Sequence, residues 1–201
     1  MKKLCLKLGS ASLLLLSGCA SYKAAPITPI LTTISKNNQD VTIIAKKFSK
    51  QDCQKFLDRD VMAKGYQPVQ LFIQNNTDKN YVFSLDRLGL VHTNASDVAK
   101  RVHTSTVGRA VGYGVGGLFL WPLFIPAVVD GIKSSEANES LDRDFLDKAA
   151  SDQIISAHSS FNKLIFVPTN ECPSTFSLTL IDATTSQAEP FVISLDGSIH
   201  K

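Results

Sequence analysis

The sequence predicts an α+β chain: an antiparallel β-sandwich interrupted in its middle by a glycine-rich apolar helical hairpin and one amphipathic helix. Three observations carry that prediction. Runs in which apolar and polar residues alternate fall into two blocks, one on each side of the middle of the chain. Polar turn sequences punctuate both blocks, the pattern of strands buried on one face only. Between the blocks the apolar period changes from two to four and glycine becomes frequent.

The first block opens at Val41. Val41, Ile43 and Ala45 share one side of a run reaching Phe48, as in a strand. Ser49 followed three residues later by Asp52 predicts a capped helix through about Asp60, carrying Cys53, Phe56 and Leu57. Gly65 ends that region. From Gln67 to Gln74 the alternation places Val69, Leu71 and Ile73 on one face. Asn75 to Asn80 has turn chemistry, and Tyr81, Phe83 and Leu85 alternate again toward Leu90. These two runs are expected to pair as a hairpin. The second block repeats the logic. Lys163 to Val167 is a β run, Phe176, Leu178 and Leu180 alternate, and Ala183 to Ser186 turns the chain toward Phe191, Ile193 and Leu195. Strands spaced this way point to a small sandwich, immunoglobulin-like in general style.

The helical insertion is expected at about residues 100–150. Val107 to Val129 is almost wholly apolar, with Arg109 its single charge before Asp130. Gly108, Gly112 and Gly116 recur every fourth residue and form a bare stripe on a helix, where another helix can approach closely. Trp121 suits an interface. Pro122 and Pro126 are expected to break one long span into two short arms. Three readings stay open: a hairpin buried on the fold, a stripe joining copies or other subunits, or a hairpin entering lipid. Beyond it, Ser134 and Ser135 open a helix whose apolar face is Ala137, Leu141, Phe145 and Ala149.

The N-terminus sets the compartment. A basic start (Lys2, Lys3, Lys7), the apolar run Leu8–Leu16 and small residues after it make a secretory signal peptide. The run is shorter than the ~20 residues of a membrane-spanning helix. Leu16-Ser17-Gly18-Cys19 resembles the lipobox of bacterial lipoproteins. The resemblance implies cleavage before Cys19, acyl chains on that residue and a firm membrane anchor. Ala20, where an Asp would retain such proteins at the inner membrane, implies the periplasmic face of the outer membrane. The chain then divides into a signal peptide over 1–18, a lipidated N-terminus and tether over 19–40, and a sandwich domain over 41–201. In layout this is similar to the accessory lipoproteins of outer-membrane secretion complexes, the type IVB systems of Legionella-like bacteria. That similarity implies a structural subunit whose partners are other envelope proteins or further copies of itself.

The leader also corrects the charge. The formal net charge of +3 comes from 21 basic and 18 acidic residues, and losing Lys2, Lys3 and Lys7 removes the excess. No nucleic-acid partner is expected of a mature chain without net positive charge. Cys5 leaves with the leader and Cys19 takes lipid, so Cys53 and Cys172 remain as an even pair in an oxidising compartment. A Cys53–Cys172 disulfide is the expectation; two unpaired buried thiols, or a metal pair lacking further ligands, are the alternatives.

No enzyme, cofactor or metal is expected. His92, His103, His158 and His200 lack metal-ligand spacing, and neither G-x-S-x-G nor a plausible S-x-x-K occurs. Gly112 to Gly117 does match G-x-G-x-x-G, with Asp130 near the dinucleotide spacing. No strand enters that loop and Trp121-Pro122 breaks the helix that should follow, so the match lacks its context.

Overall fold

The computed structural model describes residues 21–30, 40–103 and 124–195, the side chains of 124–134 excepted. These residues form an α+β fold of two antiparallel sheets and three α-helices. Strands β1 (Val41–Lys47), β2 (Tyr66–Asn75) and β5 (Ser160–Pro168) make the first sheet, in the order β1-β2-β5. Strands β3 (Tyr81–Phe83), β4 (Gln153–Ile155), β6 (Thr175–Asp182) and β7 (Ala188–Ser194) make the second, in the order β4-β3-β6-β7.

Alternation builds the core between the sheets. Val41, Ile43 and Ala45 of β1 and Val69, Leu71 and Ile73 of β2 point the same way, as read from the sequence. They meet Phe83, Phe176, Leu178, Leu180 and Ile193 from the second sheet, with Phe83 and Phe161 4.6 Å apart between ring centres. The β6–β7 hairpin also follows the sequence reading. Ile181 pairs with Ala188, and the turn closes on the Asp182 carboxylate, which accepts the Thr184 and Thr185 amides.

The expected hairpin between β2 and β3 does not form. β2 pairs with β1 and β5, whereas β3 pairs with β4 and β6, so residues 76–80 carry the chain from one sheet to the other. Asn75 makes that corner. Its side-chain amide donates to the carbonyls of Lys79 (2.7 Å) and Ser156 (2.8 Å), and its oxygen accepts from the Thr77 amide at 3.0 Å. Turn composition alone does not distinguish such a corner from a hairpin. Beyond Phe83 the chain leaves β structure through a short 3-10 turn at Leu85–Arg87, yet still buries Leu88 and Leu90. Gly89 lies where the backbone crosses β6: a Cβ there would sit 2.2 Å from Ser177 Oγ.

β2 also carries Pro68, which has no N–H to donate although it lies in the central strand. Phe48 N–H donates to the Pro68 carbonyl at 2.9 Å. The reciprocal bond is supplied by the buried Gln67 side chain, which donates to the Phe48 carbonyl at 2.9 Å. A side-chain amide thus replaces the missing backbone donor.

The outer face of the first sheet is covered by helices α1 (Lys50–Leu57), α2 (Ala95–Val102) and α3 (Phe124–Lys148). α1 begins as the sequence predicts. The Asp52 amide donates to Ser49 Oγ at 3.1 Å, and the Ser49 amide donates to the Asp52 carboxylate at 2.9 Å. Gly65 closes the following 3-10 turn at φ +86°, a backbone state that glycine adopts freely. α2, which the sequence reading passed over, is capped by Asn94 and buries Ala95, Val98, Ala99 and Val102. α3 buries Ala137, Leu141 and Phe145 as expected, with Phe145 stacked on Phe166 at 5.5 Å.

α3 starts at Phe124 and not at Ser134. Pro126 is its third residue, in the first turn, where a backbone N–H has no intrahelical acceptor to lose. It therefore does not break this helix. The two feet of the insertion close the edge of β5: the Thr93 amide donates to the Phe166 carbonyl and the Ala150 amide to that of Leu164, each at 2.7 Å. Such closure removes an open pairing edge.

Candidate anchoring junction

Residues 21–30, expected as part of the tether over 19–40, lie instead as a strap against the helical layer. Their few apolar side chains find a surface. Tyr22, Ala25 and Ile27 pack against the helical-layer cluster that includes Phe56, Leu57, Phe145 and Phe166. Polar contacts then fix the register. The Lys23 amide donates to the Asp58 carboxylate at 3.0 Å and the Ala25 amide to the Lys55 carbonyl at 2.9 Å. Further on, Gln70 and Asn162 reach up from the sheet and donate to the Thr28 and Ile27 carbonyls at 2.8 and 3.3 Å.

These contacts also solve a problem of α1. Its last carbonyls have no intrahelical donor. Lys55 O is satisfied by the strap, and Phe56 O accepts from Lys148 Nζ at 2.6 Å. Lys148 is buried, and its charge is balanced by Asp144 one turn earlier on α3. Tyr22 Oη donates to the same Asp144 carboxylate. The Arg59 guanidinium lies 5.3 Å from the Tyr22 ring centre. Burial, then the hydrogen bond to Asp144 and its charge, push the Tyr22 phenol well above its ordinary value. The phenol therefore remains a proton donor near neutrality.

Of the residues singled out from the sequence, Cys19 lies outside the described residues, as do Gly108, Gly112, Gly116 and Trp121. Cys53 and Cys172 are both free thiols, which overturns the expected bridge. They belong to different clusters: Cys53 is buried under the helices, and Cys172 packs against the core between the sheets. An even count of cysteines does not guarantee that two side chains share a side of a sheet. Burial, then the charges of Asp60 and Asp52, push the Cys53 thiol up to about 11, so it is protonated and unreactive near neutrality.

A cleft of about 520 Å³ lies between His92–Ala95, the end of α3 and β5, lined by His92, Asn94, Leu146 and Ile165 among others. The neighbouring Asp152 is engaged in structure: it accepts from the Leu85 amide and the Ser84 hydroxyl, each at 2.8 Å. Among the described residues no group of three His, Cys, Asp or Glu converges on a metal position, and no helix is long and apolar enough to cross a membrane. The best-defined constellation is accordingly the strap and its docking surface. Sequence reasoning missed it, although Tyr22, Ala25 and Ile27 were available as its apolar signal. No known protein family, curated protein or solved structure matches this chain.

Proposed function

We propose that this chain is a non-catalytic lipoprotein of the bacterial envelope, a structural or scaffolding subunit held to the periplasmic face of the outer membrane through lipid on Cys19. The single observation that carries this reading is Leu16-Ser17-Gly18-Cys19 at the end of a basic and then apolar leader. The docked strap supports it, because a lipidated N-terminus only a few residues from a rigid body makes a direct anchor. We read the two sheets as an immunoglobulin-like sandwich. The order β1-β2-β5 and β4-β3-β6-β7 matches a constant-type immunoglobulin domain whose fourth strand has moved to the opposite sheet. In this reading the stripe Gly108, Gly112 and Gly116 packs against a partner subunit or another copy, as in the assembly of a secretion complex.

A second reading has the glycine-rich stretch enter the bilayer. It is favoured by connectivity: the stretch joins the end of α2 to the start of α3, and both helices belong to the layer that also receives the strap. One measurement tests the anchor that both readings share, and two more separate them. Lipid on Cys19, seen as palmitate incorporation lost in Cys19→Ala, supports the anchor, and its absence overturns it. A large discrete particle in mild detergent supports the scaffold. A Cys19→Ala protein that stays monomeric yet still needs detergent supports insertion.

A further inference from the structure

We infer that the strap holds the domain in one orientation on the membrane, with the C-terminal end of α1 against the lipid headgroups and the sheet β4-β3-β6-β7 facing away. This rests on the lipoprotein reading above and adds a surface to it. The occupant of that surface is the bilayer itself.

Covalent reach sets this orientation. Three residue steps separate Cys19 from Tyr22, and at about 3.5 Å per residue they span at most ~10 Å. Tyr22 is not a loose end. Its ring lies under Arg59 and its hydroxyl is bonded to Asp144, while Lys23 and Ala25 are bonded to Asp58 and Lys55. Acyl chains on Cys19 place that residue at the headgroup level. The end of α1 is then confined to the same zone, whatever its own affinity for lipid. Exposed Lys55 adds a cationic side chain that suits an anionic headgroup. The second sheet, separated from this face by the first sheet and the core, is the part left free for protein partners. Its exposed Ile154 and Val192 lie there, at 61% and 69% accessibility. A flexible tether of some 20 residues would leave orientation open; the docked strap removes that freedom.

The test uses full-length protein reconstituted in phosphatidylethanolamine–phosphatidylglycerol vesicles that carry a headgroup nitroxide. A small fluorophore is attached at Lys55→Cys or at Val192→Cys, each in a Cys172→Ser background, because the Cys53 thiol is buried. Contact-range quenching is expected to be several-fold stronger at position 55 than at 192. A ten-residue Gly/Ser insertion after Ser21 should abolish the difference. Equal quenching at the two positions, or indifference to the insertion, would overturn the orientation while leaving lipidation intact. A Cys19 without lipid, read from the mass of the N-terminal peptide, would overturn the anchor and the orientation together.

Discussion

The sheet β1-β2-β5 carries a different kind of cluster on each of its faces. Toward the second sheet the packing is apolar throughout, supplied by alternate residues of long strands and closed by pairs such as Phe83 and Phe161. Toward the helices it is apolar at the centre and ionic at the margin, where Tyr22, the Asp144–Lys148 pair and the Phe56 carbonyl join three distant parts of the chain. The first face holds the sandwich together. The second decides whether the segment next to Cys19 belongs to the folded body.

Substitutions on the two faces should therefore fail differently. The largest loss is expected for Phe83→Ala, about 4 kcal/mol from transfer and cavity terms, read as a shift in denaturant midpoint. Next comes Asp144→Ala, at about 3 kcal/mol, because it strands the buried Lys148 ammonium with only the Phe56 carbonyl. Tyr22→Phe alone should cost about 2 kcal/mol, and its effect should vanish in the Asp144→Ala background because the two share one bond. Additive losses in that double-mutant cycle would dissolve the network and leave both faces apolar in kind. Gln67→Met should cost about 1 kcal/mol by leaving the Phe48 carbonyl without its donor opposite Pro68.

The smallest effect is on acid stability. Backbone amides, helped by the Lys50 ammonium at Asp60 and by the Ser84 and Thr185 hydroxyls at Asp152 and Asp182, hold these three carboxylates below the ordinary value of 3.8. In Asp52 burial opposes the shift, but Ser49 and Lys46 outweigh it. Their contribution is fully present above the unfolded value and is lost as pH falls through the depressed folded values. Thermal stability should accordingly be flat down to about pH 4 and decline below it.

Much of this contrast was legible in the sequence on one face only. Period-two patterns located β1, β2, β5, β6 and β7, and Ser49 with Asp52 located α1, since each signal is local and repeats within a few residues. Which strands pair is not local. Asn75 to Asn80 reads as a hairpin turn whether the next strand joins the same sheet or the other, and the pairing of β3 with β4 and β6, with Asn75 bonded across to Ser156, decides for the other. The strap was illegible for a similar reason. Its apolar residues are sparse, and its partners Lys55, Gln70, Asp144 and Asn162 are spread along the chain. Cys53 and Cys172 show the converse error, where a rule about counts and compartment stood in for geometry.

The measurement that reaches the centre of this account is hydrogen exchange at the Ala25 amide, made on Cys19→Ala protein so that no acyl chain contributes. A strap that is part of the fold predicts protection comparable to the helical layer, lost in Tyr22→Ala. Exchange at the rate of an unstructured peptide would contradict it, and would return residues 21–30 to the status of a free tether.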